Sequence, residues 1–296
     1  MVPFRYSAGL QNDPIEKKPF FHALPGSLAM SFGMLGCDFR CAYCQNWFTS
    51  QSLKDEASTI HAIPVTAGEI CDLAQQHGSQ VVVSTYNEPL ITSEWAVEVF
   101  QEARARGLGT AYVSNGHGTP QVLEYLHPWI DLFKIDLKCF SKKEYRRLGG
   151  SLSAVLETIQ SVQSMGIWLE LVTLLIPDYN DSDKEISDMA EFIAGVSPSI
   201  PWHVTAFHPD YKMKDRGRTP ADSLLRAVQH GKVAGLQFVY SGNLPGQVKN
   251  TENTYCPHCD HLLVERRGFQ VLSVNLNGEC CPSCNATIPG RWINFC

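Results

Sequence analysis

The chain has 296 residues, of which 44% are hydrophobic and 18% charged, with a formal net charge of −6; that length fits one large domain, or one domain with a small module, and buries a substantial core. No apolar run approaches the roughly 18 residues of a membrane span, and "MVPFRYSAGLQNDPIEKK" at the N-terminus has neither an apolar h-region nor an Arg/Ser-rich amphipathic pattern. An acidic balance offers no general attraction for a phosphate backbone, so a protein that binds neither membrane nor nucleic acid, in a cytoplasmic setting, is expected. Strands are predicted at "SLAMSF" (27–32), "QVVVST" (80–85), "GTAYV" (109–113), "DLFKIDL" (131–137), "WLELVTLLI" (168–176), "WHVTAF" (202–207) and "QFVYS" (237–241). Helices fall between them. "TAGEICDLAQQHG" opens on a Thr cap with Glu three residues on, "TSEWAVEVFQEARARG" and "SAVLETIQSVQSMG" end at Gly, and "SDKEISDMAEFIAG" and "TPADSLLRAVQHG" follow. "KKEYRR" (142–147), ahead of a Gly-Gly turn, reads as a solvated helix face.

This alternation calls for an α/β fold with a parallel sheet and right-handed crossovers, doubly wound or curled into a partial or complete (β/α) barrel. The expected divisions are an N-terminal extension (1–26), a barrel (27–245) and a Cys-rich module (246–296), joined by a polar Gly/Pro-bearing linker around 241–254. Ligands of such a barrel bind at the C-terminal strand ends. There the sequence places a Cys loop, "YNEP" (86–89), "SNG" (114–116), Asp136 with Lys138, and His208, which gathers thiols, a carboxylate, amides, an ammonium and an imidazole at one mouth.

In "GCDFRCAYCQNW" (36–47), Cys37, Cys41 and Cys44 lie within eight residues. Eleven cysteines in a reducing compartment are metal ligands or core thiols before they are disulfides. Clusters this dense suit zinc or iron–sulfur. Zinc needs a fourth donor such as Cys71, His61 or Cys139, of which Cys71 and Cys139 read more simply as core thiols. A [4Fe–4S] cube on three cysteines instead leaves one iron open, which is useful only if a substrate or cofactor binds there. The polar groups also have local readings: Asn87-Glu88-Pro89 and Ser114-Asn115-Gly116 as turns, Asp136 and Lys138 as a surface pair, His208 as a loop histidine, and Tyr43 as packing against the cysteines.

"CDFRCAYC" resembles the hallmark of the radical S-adenosylmethionine (SAM) superfamily, Cys-x3-Cys-x2-Cys with an aromatic residue, here Tyr43, before the third cysteine. The resemblance covers about residues 12 to 245. "TYNEP" stands where that superfamily keeps a Gly-Gly-Glu-like stretch for the methionine amino group, "SNG" and "KIDLK" look like the carboxylate and ribose segments of pyruvate formate-lyase activating enzymes, and His208 resembles a histidine near the adenosine. "DPIEKKPFFHALPGS" (13–27), the Cys loop and "IPGRW" (288–292) are similar to the radical SAM enzyme of the AmmeMemoRadiSam system, a relative of the glycyl-radical-enzyme activases. This chain departs from such relatives in having no cysteine before Cys37.

The likeness implies a [4Fe–4S] cluster on Cys37, Cys41 and Cys44, with SAM chelated to the open iron and cleaved to methionine and a 5′-deoxyadenosyl radical. It implies Glu88 for the SAM ammonium, Asn87, Ser114 and Asn115 for carboxylate and ribose, Lys138 for a carboxylate, and Asp136 for a ribose hydroxyl or small cation. The implied partners are a small-molecule or protein substrate, an electron donor such as flavodoxin or ferredoxin, and partner proteins of that system. A glycyl-radical activase acting on a protein backbone and a noncatalytic metal-binding adaptor are the alternatives. Thr173 and Tyr211 are candidate substrate-facing residues.

In the tail, Cys256-x2-Cys259 and Cys281-x2-Cys284 flank 21 residues that alternate like a hairpin, the arrangement of a zinc ribbon or rubredoxin. Four thiolates close a tetrahedron, so a structural zinc is expected, with a single redox-active iron as the sharper reading. Cys280 adjoins Cys281 and either replaces it or stays free. His258 and His261 read as bystanders.

Overall fold

The computed structural model describes residues 4–58 and 60–293; residues 1–3 of the expected extension and 294–296 of the expected tail module lie outside the described residues. Chain order begins with β1 (Tyr6–Ser7), β2 (Gly9–Pro14), β3 (Leu28–Gly33), α1 (Trp47–Ser50), β4 (Ile63–Pro64), α2 (Ala67–Gln76), β5 (Ser79–Ser84), α3 (Ser93–Ala105), β6 (Gly109–Ser114), α4 (Pro120–Leu126) and β7 (Leu132–Asp136). It continues with α5 (Lys142–Leu148), α6 (Leu152–Ser164), β8 (Trp168–Leu175), α7 (Asp183–Val196), β9 (Trp202–Ala206), α8 (Ala221–Val233), β10 (Val239–Gly242), β11 (Thr254–Tyr255), β12 (Leu262–Arg267) and β13 (Gln270–Val274).

Local chemistry fixes the helix starts. Thr66 and Glu69 form a reciprocal capping box on α2, and Ser141, Ser151 and Ser182 accept from the third helical N–H of α5, α6 and α7. Gly149, in the left-handed conformation at φ +97°, ends α5, so "KKEYRR" is helical as expected.

Among the described residues, eight strands form the main sheet in the order β10-β9-β8-β7-β6-β5-β3-β2. Every pairing is parallel except β2 with β3, and β2 and β10 remain its two edges, so the barrel is partial. The sequence reading missed β2, "GLQNDP", because it is polar and half-buried, with Pro14 at the end of an edge strand. Residues 9–14, placed before the expected barrel, are thus part of its sheet.

Alternation along each strand sorts the side chains into two sets. Met30, Phe32, Val82, Tyr112, Phe133, Ile135, Leu171 and Trp202 pack outward against the helices. Ala29, Val81, Val83, Ala111 and Leu132 point inward, where they meet Ile15, Phe20, Ala23 and Leu24. The segment 15–24 therefore plugs the barrel interior.

The tail clasps that plug. Ala23 and Arg291 form a parallel bridge, Leu24 N donates to Arg291 O at 2.9 Å and Arg291 N to His22 O at 2.7 Å. Arg266 on β12 donates to Phe21 O at 2.6 Å and to Thr254 Oγ1 at 2.8 Å, and its Nε lies 3.7 Å from Glu16 Oε1 with both side chains fully buried. "DPIEKKPFFHALPGS" and "IPGRW", some 260 residues apart in sequence, are two halves of one interface.

His22 sits at its centre. Its Nδ1 lies 2.7 Å from Pro289 O, a pure acceptor, so Nδ1 carries the proton and Nε2 accepts from Tyr240 Oη at 2.6 Å. Burial holds its pKa down at about 4, against the pull of Glu170. The unfolded chain therefore takes up this proton first, and as pH falls from about 6.5 to about 4 the fold loses about 3 kcal/mol from this group. Thermal midpoints measured between pH 7.5 and 4.5 should fall with acid, and less steeply in His22→Gln. An unchanged slope in that variant would contradict the neutral, buried imidazole.

Candidate cofactor and substrate site

The cysteine loop begins where β3 ends. A Cβ at Gly33 would lie 2.7 Å from Thr85 O, so only glycine lets the loops after β3 and β5 meet. Asn87 Oδ1 then accepts from Met34 N at 3.0 Å, Tyr6 Oη from Leu35 N at 3.1 Å, and Glu88 N donates to Gly36 O at 3.3 Å. Lys54 Nζ donates to Cys37 O at 2.6 Å, and Phe39 packs against Gly150, whose Cβ it would exclude. The result is a loop fixed from four sides.

Cys41 is buried, while Cys37 and Cys44 are half-buried. Cys44 Sγ lies 3.1 Å from Ser50 Oγ. Among the described residues, no fourth protein donor joins these three: Cys71 turns to Val99 O between α2 and α3, Cys139 turns to Ser141 O, and His61 is exposed. The expected zinc donors are thus elsewhere. Burial pushes the Cys41 thiol up to about 11, with Lys138 pulling the other way, and burial together with Glu88 and Asp38 raises Cys37. A bound cation reverses that balance, because thiolate ligands lose their protons to the metal. Three thiols on a fixed loop, unmet by a fourth, fit a cluster with an open corner.

The polar strand ends converge on this loop. Glu88 is fully buried; its Oε1 accepts from Ser114 Oγ at 2.7 Å and Leu90 N at 3.0 Å, and its Oε2 from Asn115 N at 2.7 Å. Burial, reinforced by Asp38, raises its pKa to about 8. Asn115 Nδ2 donates to Asp38 Oδ1 at 2.7 Å, and His117 Nδ1 lies 2.9 Å from Asp38 Oδ2. Glu88, Ser114 and Asn115 thus staple the loops after β3, β5 and β6 together, and Asp38 and His117 extend the staple.

Beside the loop opens a cavity of about 870 Å³, within the range of small-molecule sites. Cys41, Tyr43, Cys44 and exposed His208, whose Nδ1 lies 3.3 Å from Gln45 Nε2, line one side. Tyr43 packs edge-on against Tyr179. Asp136 and Lys138 line the cavity instead of forming a surface pair. Asp136 accepts from Lys134 Nζ and, at 2.6 Å, from Lys138 Nζ. Against burial, which raises it, the two lysines drive its carboxyl far below the usual range.

Deeper in the barrel, His203 Nε2 lies 2.7 Å from Glu170 Oε2. Glu170 also accepts from Phe21 N at 3.0 Å, His22 N at 2.9 Å and Trp168 Nε1 at 3.0 Å. Burial raises its pKa, but the hydrogen bonds from His203 and the Phe21 amide pull the other way and the net shift is downward. An ionised carboxylate makes Nε2 the donor and leaves a lone pair on His203 Nδ1.

Two sequence expectations need correction. On β8 the inward positions are Glu170, Val172 and Leu174, so Thr173 faces the helices, donating to Leu137 O and accepting from Trp202 Nε1 at 3.0 Å each. Tyr211 stacks 5.1 Å from Trp47 and bonds Asp55, outside the cavity lining. Conversely, Lys134, Glu170 and His203 escaped the reading because each sits inside an apolar strand, where one polar residue in an alternating run carries no motif.

The ribbon presents a second centre. The sulfurs of Cys256 and Cys284 lie 3.6 Å apart, those of Cys259 and Cys281 3.7 Å, and the ligand atoms of all four lie within 4.8 Å of one another. A tetrahedron of about 2.3 Å Zn–S bonds has edges of about 3.8 Å. The four thiols fit a single ion. Cys280 pairs through its backbone with Asn277 and stands outside the group, as do exposed His258 and His261. The hairpin between the knuckles reaches back, and Arg267, Gly268, Phe269 and Gln270 line the same cavity.

Comparison with known proteins agrees with this geometry. The profile described as the radical SAM superfamily matches residues 33–193. An uncharacterized protein of Methanocaldococcus jannaschii is 36% identical over 279 residues, covering 93% of this chain and 82% of its own. The pyruvate formate-lyase-activating enzyme of Clostridium pasteurianum is 22% identical over 192 residues, covering 61% and 80%. In fold, a radical SAM methyltransferase from Sphaerobacter thermophilus superposes with a TM-score of 0.57 at 16% identity, over 74% of this chain and 67% of that one.

The ribbon assignment predicts a selective metal loss. In a background with Cys37, Cys41 and Cys44 replaced by Ala, elemental analysis should find one metal equivalent per chain, absent after Cys281→Ala and retained after Cys280→Ala. The reverse pattern would place Cys280 in the tetrahedron.

Proposed function

The chain belongs to the radical SAM superfamily, and from that premise we propose that Cys37, Cys41 and Cys44 hold a [4Fe–4S] cluster whose fourth iron takes SAM. When bound, such a cluster supplies the electron that splits SAM into methionine and a 5′-deoxyadenosyl radical able to take hydrogen from a substrate carbon. The observation that carries the reading is the set of three thiols on one loop, with no fourth protein donor among the described residues; two of the three, Cys41 and Cys44, line the cavity.

The protein's part is to bind, orient and exclude water. Asn87 and Glu88 present the methionine amino group, with Ser114 and Asn115 toward its carboxylate and the ribose. Lys138 balances a carboxylate, Asp136 holds a ribose hydroxyl or small cation, and Tyr43 and His208 flank the adenosine. Tyr43, Asp136, Lys138 and His208 line the cavity, whereas Asn87, Glu88, Ser114 and Asn115 lie outside its lining and bond to one another and to the cysteine loop beside it; that adjacency supports these roles. The ribbon takes zinc as a structural ion, a single iron being the alternative. A flavodoxin or ferredoxin in the cytoplasm serves as electron donor.

Substrate size follows from the walls. The plug and the ribbon hairpin line the cavity opposite the cysteines, which favours a small molecule. The activating-enzyme relatives favour a second reading, hydrogen abstraction from a protein backbone. Membership of the AmmeMemoRadiSam group, and association with its partner proteins, rest on the likeness of "DPIEKKPFFHALPGS" and "IPGRW", two segments that pair with each other in this chain.

Anaerobically reconstituted protein with SAM and a strong reductant should form 5′-deoxyadenosine, and Cys41→Ala should lower that rate by at least about a hundredfold while the ribbon metal stays bound. Unchanged cleavage in Cys41→Ala would reject the cluster assignment.

A further inference from the structure

The cavity wall is cationic in an acidic chain. Lys17, Lys18, Lys134, Lys138 and Arg267 line it with only three carboxylates, Glu16, Asp136 and Glu252; counting also Asp13, which pairs with Lys17 and Lys18, one positive charge is in surplus where the whole molecule carries −6. The carboxylates have partners of their own, although Glu16 Oε2 is buried without a hydrogen bond. Glu16 is fully buried between Gly26 N and Arg266, Asp136 takes two lysines, and Glu252 accepts from Gly246 N at 3.0 Å and Gly268 N at 3.1 Å.

The cations are not matched in the same way. Lys17 and Lys18 share the single carboxylate of Asp13, at 2.8 and 2.9 Å. Lys134, 5% exposed, bonds only Asp136, which leaves donors of its ammonium unengaged. Arg267 is exposed, and its side chain has no hydrogen-bond or ion-pair partner among the described residues, although its backbone is paired with Gln270. Yet its backbone is fixed: Arg266 beside it is buried against the plug, and the following turn is tied to Glu252 with Gly268 at φ +59°. A guanidinium with five donors thus stands on a rigid platform facing the cavity.

We propose that the substrate is a small organic anion, its carboxylate or phosphate bound by Arg267 of the ribbon hairpin; this rests on the reading that the cavity receives the substrate. The inward lysines add to the field that draws an anion into the cleft of a negatively charged protein. His203 Nδ1, a lone pair on the same wall, accepts a hydrogen bond from a hydroxyl or amino group of that anion. Hydroxy acids, amino acids and sugar phosphates have this combination. The ribbon then determines specificity and is more than a structural appendage.

Equilibrium binding to the full chain with its ribbon metal tests this with citrate and glucose 6-phosphate, against triethyl citrate and glucose as uncharged counterparts. Both anions should bind and both neutral compounds should not, with affinity falling as salt is raised. Arg267→Gln should weaken anion binding about tenfold and Arg267→Lys much less, with ribbon metal content and melting temperature unchanged in both. Equal binding of glucose and glucose 6-phosphate, failure of both anions to bind, or an unaltered affinity in Arg267→Gln would overturn the proposal. Formation of 5′-deoxyadenosine judges the radical reading separately, so wild-type protein that binds the anions without cleaving SAM would uphold the anion site and reject that chemistry.

Discussion

A single buried carboxylate, Glu170, holds the architecture together. Unpaired in a barrel interior it would be costly. Here it accepts from two backbone amides of the plug, the Trp168 indole and His203. The plug is thereby hung from β8, its Phe20 and Ile15 fill the interior that this open sheet would otherwise expose, and its far side becomes the surface on which the ribbon docks through Glu16, Phe21 and His22. Sheet, plug and ribbon are therefore mutually dependent, and the cavity exists because all three meet around it.

That arrangement explains an otherwise odd distribution of polarity. One part of the interior is apolar, with Ala29, Val81, Val83, Ala111 and Leu132 packed on Ile15 and Phe20, while the part that lines the cavity carries Lys134, Asp136, Lys138 and His203. Burying such groups adds nothing to the fold that Val or Leu would not supply better. Their position beside the cysteine loop is what the proposed ligand-binding role rests on. The ribbon's four thiols and the loop's three suit opposite ends: four within 4.8 Å of one another could close a tetrahedron around one ion, whereas the proposed cluster on three would leave one corner for a partner.

Much of this was legible in the sequence. The seven parallel strands, the five long helices and the knuckle cysteines follow from periodicity, caps and spacing, since long amphipathic elements and paired Cys-x2-Cys motifs signal themselves locally. The plug was not legible: "DPIEKKPFFHALPGS" has no regular period, and its partners, Glu170, Tyr240 and Arg291, are set by tertiary contact. Strand β2 was hidden by its polarity. The face of Thr173 was misjudged because register, which decides it, depends on neighbouring strands; once Glu170 is known to point inward, Thr173 must point out.

Mössbauer spectroscopy of the anaerobically reconstituted chain, with and without SAM, most directly tests the claim that three thiols leave one metal corner open. A [4Fe–4S] cluster with one iron site distinct from the other three, and altered when SAM is added, is the predicted result. Four equivalent irons indifferent to SAM, or zinc at Cys37, Cys41 and Cys44, would contradict it.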